Sequence, residues 1–318
     1  MSYFVNLAKK HEHLEELRHC LVRRFVSSVV VEPESNVWND TTVEELTQIL
    51  KSVSWRSAAG LDCISYRMVE CVARVNPGLL LSGFDQAARQ EYFPAQWTHN
   101  RITVIPKTKS DQEIDLKNQR NYRPITVTSC VMRVFEGILL DRLGKKMSQK
   151  LSDVQGGFVK GRGTMEQLFA VREICQRRRR ERKNLALAFL DLQKAFDLVW
   201  HEGLLFKLWT QFGIRGKLWR LVKLLLESNH VRVEIGTVKT KFGKLDAGTR
   251  QGGKTSPLLF NIFIDDVVET LDATNCGVEV GQFVITCLLY ADDIVLFAKS
   301  PEDLASLLEE PEEVATGL

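Results

Sequence analysis

The sequence lacks any apolar run long enough to cross a membrane, and it lacks the apolar core of a secretory signal. The longest apolar stretches, such as LVKLLL and CLLY, fall far short of the roughly 20 residues that a membrane helix needs. The first residues, MSYFVNLAKKHEHLEELRH, are too polar for a signal peptide. We therefore expect a soluble, intracellular protein that has no membrane partner.

Paired cysteines are also missing. The seven cysteines are scattered along the chain, and no two of them form a CxxC pair. This spacing argues against a zinc ribbon and against a disulfide framework. We expect free thiols in a reducing compartment.

The chain has little net charge. Lys and Arg exceed Asp and Glu by only three, although the last 18 residues hold six acidic residues and no basic one. The first 300 residues therefore carry 43 basic against 34 acidic residues, an excess of nine. This distribution permits a polyanionic partner without establishing one, since ordinary solvated surfaces carry a similar excess.

No internal repeat and no linker rich in Gly, Ser or Pro divides the chain. Its 318 residues, of which 44% are hydrophobic, suffice for one large domain or two ordinary ones. Residues 1–100 look mainly helical, as in VEELTQILKSV behind the capping residues Thr41 and Thr42. Strand-like runs begin near residue 101, and their mixture with helices predicts an α+β fold, since βαβ alternation is absent.

Local patterns predict the individual elements of this fold. ITVIP and LALAFLDL read as strands, the second of them buried, and VRVEIG with TKFGKL suggests a hairpin. SCVMRVFEGILLDRL reads as an amphipathic helix and LWRLVKLLLES as a second helix. KTKSDQEIDLKNQRNYRP reads as a polar loop.

Two adjacent carboxylates interrupt the apolar stretch CLLYADDIVLFAK. An ionised carboxylate in apolar surroundings is costly and two of them repel each other, so a bound cation is the expected compensation. Both flanks are strand-like and Asp favours turns, so we expect Asp292 and Asp293 at a hairpin turn. Asp191 ends the apolar run LALAFLD, and a carboxylate at a strand tip can meet those of a neighbouring hairpin.

Three carboxylates without a nearby His or Cys suit Mg²⁺, and two such ions support in-line displacement at phosphorus. The alternative is that each Asp is an ordinary turn or strand-end residue. A second acidic pair, Asp265 and Asp266, offers a comparison. The helical spacing of Leu259, Phe263 and Val267 predicts that this pair lies near the end of a helix, faces solvent and has no catalytic role.

Several ordered motifs resemble those of reverse transcriptases from non-LTR retrotransposons. FLDLQKAFDLV, RQGGKTSPLLFNIFIDDV and YADDIVLFA are similar to the polymerase motifs of that family. The segments WRSAAGLDCISYRMV, YFPAQWTHNRITVIPK, NYRPITVTSCVMRVFEGILLDRL and QGGFVKGRGTMEQLF precede them in the family's order. The resemblance covers residues 40–310 approximately. It implies a right-hand polymerase that copies RNA into DNA with two Mg²⁺ ions, for which Mn²⁺ is a substitute.

The resemblance also implies partners and a location. The partners are an RNA template, a DNA primer and deoxynucleoside triphosphates, while the oligomeric state stays open. The location is nuclear or cytoplasmic, and nuclear when the enzyme acts on genomic DNA.

The resemblance assigns roles to single residues. Asp191, Asp292 and Asp293 match the catalytic, metal-binding aspartates. The positions that match nucleotide-binding residues are Lys107, Arg123, Phe196, Gln251, Gly252 and Tyr290.

Each nucleotide-binding match has its own reason. Phe196 matches the bulky residue that excludes a 2′-hydroxyl, with a core-packing Phe as the alternative. Gln251 and Gly252 match the loop whose backbone approaches the nucleotide. Arg123 matches the arginine expected on the triphosphate, and Lys107 is a weaker match for which a solvated loop lysine is the alternative. Tyr290 matches the aromatic residue beside the primer end.

The family's organisation implies a division of the chain. Residues 1–100 form a mainly helical segment leading into the fingers, residues 101–310 the reverse transcriptase domain, and residues 311–318 an acidic tail. Within the domain, residues 101–185 resemble fingers and residues 186–310 a palm with an antiparallel sheet.

Two departures from the family's pattern affect the functional prediction. Gly253, Lys254 and Thr255 stand where relatives usually have a small residue followed by Pro and Leu. No thumb follows the YADD motif, so we expect a truncated copy with an intact metal site and impaired activity. The alternative is a non-catalytic, nucleic-acid-binding remnant. An RNA polymerase fits less well, because Phe196 would obstruct ribonucleotides.

Basic residues cluster in QRRRRERKN, residues 176–184. Arg177 to Lys183 could contact template phosphates or act as a nuclear localisation signal. A solvated helix end is an equal alternative, because basic residues near a helix C-terminus complement its dipole. The sequence leaves these readings open.

Overall fold

The computed structural model describes residues 16–29, 37–106, 121–147, 150–192, 195–250 and 252–308. Helices and strands are mixed without regular alternation, which confirms the predicted α+β class. The chain forms two compact units. The first unit comprises residues 1–29, 149–207 and 257–318, and the second comprises residues 30–148 and 208–256.

The helices and strands are numbered in chain order. The helices are α1 (residues 16–28), α2 (Val43–Lys51), α3 (Tyr66–Val75), α4 (Pro77–Gln90), α5 (Ala95–Thr98), α6 (Cys130–Lys146), α7 (Thr164–Arg180), α8 (His201–Thr210), α9 (Gly216–Glu227), α10 (Ser256–Ile264), α11 (Asp266–Ala273) and α12 (residues 301–308). The strands are β1 (His99–Pro106), β2 (Tyr122–Val127), β3 (Ala186–Asp191), β4 (His230–Ile235), β5 (Val238–Lys239), β6 (Gly243–Lys244), β7 (Val278–Val280), β8 (Phe283–Ile285), β9 (Cys287–Tyr290) and β10 (Asp293–Ala298).

Helix α6 lies at the centre of the second unit. It was predicted to be amphipathic, yet ten of its residues are buried, including Phe135 and Leu139. Aromatic rings surround Phe135, which lies 5.8 Å from Phe84 and 5.4 Å from Phe93, centroid to centroid. The prediction failed because neighbouring helices cover this helix on several sides. Helix α2 begins as predicted, with Thr42 in a capping box.

The sheet of the second unit has the order β2-β1-β4-β5, and β6 also pairs with β4. Strand β1 is parallel to β4, and the other pairs are antiparallel. The hairpin predicted from VRVEIG and TKFGKL is confirmed by the pairing of β4 with β5 and β6. Tyr122–Pro124 begin β2, although the sequence placed them in the polar loop. The part of that loop at residues 107–120 lies outside the described residues.

The first unit contains an antiparallel sheet of order β3-β10-β9. On one face, Phe297 and Leu187 pack with Ile174 of α7 in an apolar cluster. Strand β3 is the edge strand of this sheet, so it is less buried than LALAFLDL predicted. Phe189 is 72% exposed. Strands β7 and β8 form a separate hairpin.

The cysteines are free, as predicted. Cys130 and Cys287 are buried, and burial raises the pKa of the Cys287 thiol to about 12. None of the helices in the described parts of the chain has both the length and the apolar character needed to cross a bilayer.

Candidate active site

Three predicted site residues form a row across the sheet of the first unit. Asp293 of β10 lies opposite Tyr290 of β9 on one side and opposite Asp191 of β3 on the other. Residues directly opposite each other in an antiparallel pair direct their side chains to the same face of the sheet. Asp191 and Asp293 are exposed and Tyr290 is half-buried, so the sheet presents two carboxylates and an aromatic side chain together.

The third aspartate lies in the turn that joins β9 to β10. Ala291 and Asp292 form this two-residue turn, which is the hairpin predicted from YADD. The backbone N–H of Leu192, just beyond β3, donates to the carbonyl oxygen of Asp292 at 3.2 Å. The chain positions that carry all three aspartates are therefore neighbours.

Ala291 adopts a backbone conformation that is unfavourable for a residue with a side chain. Its φ angle is 58°, in the left-handed region, and glycine is the usual residue at such hairpin positions. Strained backbone of this kind persists only where the surrounding structure imposes it, and it concentrates at functional sites.

The carboxylates at this turn influence one another. Partial desolvation raises the pKa of the exposed Asp293 carboxyl, and the negative charges of Asp292 and Asp191 raise it further. A cation placed among these oxygens would reverse the repulsion, because opposite charge favours the ionised form.

Oxygen donors alone, without His or Cys, are the set that a hard cation such as Mg²⁺ prefers, so the residues present fit the predicted ion. Within the described ranges, however, no three His, Cys, Asp or Glu side chains are already gathered as a set of metal ligands. The metal site therefore stays a prediction.

Phe196 lies in a short 3₁₀ turn, Ala195–Asp197, that follows β3. Its ring stacks on buried Phe260 of α10 at 4.7 Å and meets the edge of Phe158 at 6.0 Å, measured between centroids. The side chain is half-buried. The Phe196 ring therefore contacts neighbours on two sides and is partly accessible to solvent. Both the predicted nucleotide-binding role and the alternative of core packing are compatible with this position.

The remaining predicted residues belong to the second unit. Arg123 is an exposed residue of β2, opposite Ile105 of β1. Gly252 has φ +118°, and an added Cβ would lie 2.7 Å from the carbonyl oxygen of Thr126. Only glycine fits there. Lys107 and Gln251 lie outside the described residues.

Comparison with known proteins decides the family. The family model described as reverse transcriptase (RNA-dependent DNA polymerase) matches residues 105–316, more than half of the chain. The chain belongs to the reverse transcriptase family.

The curated relatives of this reverse transcriptase come from non-LTR retrotransposons, as its motifs predicted. The RNA-directed DNA polymerase from mobile element jockey of Drosophila melanogaster is 29% identical over 83% of this chain and 28% of its own length. The Pol polyprotein from type-1 retrotransposable element R2 of Popillia japonica is 31% identical over 64% of this chain and 28% of its own length. The R2 protein of Nasonia vitripennis is 27% identical over 91% of this chain and 27% of its own length. The chain thus spans little more than a quarter of these relatives.

A buried ion pair holds Arg250, the first residue of the RQGGKT motif of this reverse transcriptase, and the sequence did not predict it. Arg250 donates to Glu136 of α6 at 3.2 Å, and their side chains are 4% and 1% exposed. The other oxygen of Glu136 accepts from the backbone N–H of Lys254 at 2.6 Å. A charged residue inside the apolar run VFEGILL was the available signal. The departure at Lys254 is compatible with this hydrogen bond, because the Lys254 backbone N–H donates it and the Lys254 side chain takes no part.

The second acidic pair of the reverse transcriptase is not a solvent-facing pair, so that prediction was wrong. Asp265 is only 8% exposed and accepts from the backbone N–H of Ser152 at 3.0 Å, while burial raises the pKa of its carboxyl. Asp266 pairs with buried Lys207 of α8 at 2.9 Å. The pair does lie at a helix end, since Asp265 follows α10 and Asp266 begins α11. Helical spacing could not reveal that α8 packs a lysine there.

The basic run partly serves the structure of the reverse transcriptase. Arg178 is buried and donates twice to the carbonyl oxygen of Asn184, at 3.0 and 2.6 Å. Arg177 pairs with Glu181 at 3.0 Å. Arg179 and Arg182 are exposed. The basic run contains the predicted helix end, since α7 ends at Arg180. Arg178, however, binds the backbone at Asn184, just before β3.

Proposed function

We propose that this chain is an RNA-directed DNA polymerase domain that extends a DNA primer on an RNA template. The observation that carries the proposal is the row of Tyr290, Asp293 and Asp191, with Asp292 in the adjoining turn, at an accessible position in a reverse transcriptase. A row of like charges is unfavourable by itself, so its occurrence favours a role in binding cations.

In this proposal, Asp191, Asp292 and Asp293 would hold two Mg²⁺ ions, for which Mn²⁺ can substitute. Bound there, the ions would activate the primer 3′-hydroxyl and neutralise the triphosphate during in-line displacement. The chain's own contribution is to fix the carboxylates on paired strands and a two-residue turn. Positioning of this kind supplies much of the catalysis in phosphoryl transfer.

The residues proposed to bind the nucleotide are assigned by their match to the family's motifs. Phe196 would lie against its sugar and exclude a 2′-hydroxyl, and Tyr290 would lie beside the primer end. Exposed Arg123 supports a contact with the triphosphate, because a guanidinium binds phosphate oxygens in a bidentate manner. Lys107 and the Gln251–Gly252 loop complete the proposed set by motif match.

The finer organisation is also part of the proposal. We assign residues 101–185 to fingers and residues 186–310 to a palm whose antiparallel sheet is β3-β10-β9. The exposed arginines at the end of α7 suit contacts with template phosphates. We further propose that the protein is nuclear or cytoplasmic, and nuclear when it acts on genomic DNA.

A primer-extension assay tests the proposal. The purified chain should add deoxynucleotides to a DNA primer annealed to an RNA template, in a reaction that requires Mg²⁺ or Mn²⁺ and stops with EDTA. Affinity for the template should fall with salt, because phosphate contacts release counterions. RNA binding without incorporation, with either ion and at low salt, would instead support a non-catalytic nucleic-acid-binding protein.

Replacing Phe196 with Val should relax the choice of sugar. The smaller side chain leaves room for a 2′-hydroxyl, so incorporation of ribonucleotides relative to deoxynucleotides should rise by about 10-fold or more. The measurement is the ratio of kcat/KM for ATP and dATP on the same template.

Phe189→Val is the matched control for this change, since Phe189 is an exposed ring on the neighbouring strand β3. The ratio of kcat/KM for ATP and dATP in Phe189→Val should equal that of the unmodified protein. An unchanged ratio in Phe196→Val would assign Phe196 to packing against Phe260 and remove it from the proposed pocket.

A further inference from the structure

A short segment, residues 154–157, lies directly against the turn that carries Asp292. The backbone N–H of Leu289 donates to the carbonyl oxygen of Val154 at 3.0 Å, and that of Gly156 donates to Leu289 at 2.8 Å. These two bonds form a parallel bridge between the segment and β9. The segment is therefore held in a fixed register beside the strand that leads into the turn.

The side chain of Gln155 reaches the turn itself. Its Oε1 accepts from the backbone N–H of Ala291 at 3.0 Å and from that of Gly157 at 2.8 Å. Gln155 is 1% exposed and Ala291 is 5% exposed. A buried N–H that loses its acceptor costs free energy, because no water replaces the bond. Gln155 thus satisfies the amide of the one residue in this turn whose φ is unfavourable.

Gly157 closes the space behind the turn. An added Cβ would lie 2.2 Å from the nitrogen of Ala291 and 2.9 Å from the carbonyl carbon of Tyr290, so a side chain here would displace the turn. The carbonyl oxygen of Gly157 accepts from Asn261 of α10 at 2.8 Å. The segment is therefore hydrogen-bonded to helix α10 on one side and is in close contact with the backbone of the turn on the other.

Gln155 contacts the turn through the oxygen of its amide. Both groups that face Oε1 are N–H donors, whereas the buried Nε2 of Gln155 has no partner among the residues that the structure describes. The side chain therefore acts on the turn as an acceptor alone.

We propose that Gln155 is the positioning residue of the Ala291–Asp292 turn, fixing the strained conformation that sets the carboxylates of Asp292 and Asp293. The effect of Gln155 on the reaction rate rests on the proposed polymerase function, in which this turn carries catalytic carboxylates. Gln155 touches no reacting atom; it acts through the backbone of Ala291. A carboxylate displaced by about 1 Å can cost two orders of magnitude in rate.

Hydrogen exchange tests whether Gln155 stabilises the turn, and it does not require an active enzyme. Gln155→Met has a similar volume and no acceptor, so exchange of amides in a peptide spanning residues 288–296 should become at least about 10-fold faster. If Gln155→Met fails to fold, Gln155→Asn replaces it in this measurement. The Asn amide is one methylene too short to reach the turn, so exchange at residues 288–296 should become faster by a similar factor. Gln155→Glu keeps an acceptor oxygen and should restore part of the protection.

Gln167→Met is the matched control. The Gln167 amide donates to the carbonyl oxygen of Val154 at 3.3 Å, so it supports the same segment without touching the turn. Exchange at residues 288–296 should be unchanged in this variant. Equal exchange in Gln155→Met and the unmodified protein would overturn the proposal.

Primer extension then tests the consequence for the reaction. In Gln155→Met, kcat should fall by about 10- to 100-fold while KM for the nucleotide changes little, as expected when only alignment is lost. Adding Ala291→Gly should recover part of kcat, because glycine adopts the positive φ without support. An active protein whose kcat is insensitive to Gln155→Met would contradict the proposal. No synthesis by the unmodified protein, with exchange altered as expected, would refute the proposed polymerase function and leave the role of Gln155 in the turn intact.

Discussion

Asp292→Asn is expected to lower RNA-templated DNA synthesis by about 1,000-fold, because it removes one of the charges proposed to bind the catalytic cations. Asn has nearly the same shape as Asp and keeps one oxygen, so the turn between β9 and β10 should be retained. The measurement is the single-turnover rate of nucleotide addition at saturating Mg²⁺.

The stability of this variant separates a catalytic loss from a loss of fold. Asp293 has a raised pKa, so its ionised form is disfavoured in the folded protein, and the charge of Asp292 is one of the causes. Removing that charge should stabilise the folded state at neutral pH. The gain should disappear as pH falls below the usual range of Asp, where the Asp293 carboxyl is protonated in both the folded and the unfolded state. The thermal midpoint at pH 7 should therefore be unchanged or higher.

Asp153→Asn is the control for a general effect of carboxylate removal. Asp153 belongs to the same unit, and its side chain is 98% exposed in an ion pair with Arg162. The rate of nucleotide addition by Asp153→Asn should remain within about two-fold of that of the unmodified protein, since exposed ion pairs contribute little to stability. Equal rates in Asp292→Asn and Asp153→Asn would refute a catalytic role for Asp292.

Glu136→Ala is expected to destabilise the second unit by about 3 kcal/mol or more, because it leaves the buried guanidinium of Arg250 without its counter-charge. Burial lowers the pKa of Arg250, and the carboxylate of Glu136 opposes that effect. The change also removes the acceptor of the Lys254 N–H. Equilibrium urea unfolding, followed by the fluorescence of the tryptophans, measures the loss.

Two variants test whether burial of the pair is the cause. Asp141→Ala removes a partly exposed ion pair with Lys145 on the same helix α6, so it should cost less than about 0.5 kcal/mol. Replacing Glu136 and Arg250 together by Met should restore most of the stability, because no unpaired charge remains. A Glu136→Ala protein that unfolds at the same urea concentration as Asp141→Ala would contradict the role given to the pair.

Local patterns predicted the elements that carry the candidate site. Apolar strands flanking YADD and the Asp at the end of LALAFLD were sufficient to predict a hairpin beside a strand tip. The pairing of Asp293 with Asp191 agrees with that prediction. Alternation and turn propensity suffice for the hairpin and for strand β3 taken separately, because each signal lies within a few residues of sequence.

The predictions that failed depended on contacts between distant segments. Asp265 and Asp266 read as solvent-facing, since nothing in FNIFIDDV shows that Lys207 packs beside them. Phe189 read as buried because an apolar run does not reveal which strand forms the edge of a sheet. Gln155 lies 136 residues before Ala291, so its hydrogen bond to the turn becomes visible only in the fold.

Anomalous scattering from Mn²⁺ tests the central claim, that Asp191, Asp292 and Asp293 together bind divalent cations. Crystals of the protein would be grown with Mn²⁺, an RNA–DNA primer-template and an unreactive deoxynucleotide analogue. We expect anomalous density within bonding distance of carboxylates from both β3 and the β9–β10 turn. Manganese bound elsewhere in such a complex, with no density at these three carboxylates, would contradict the account.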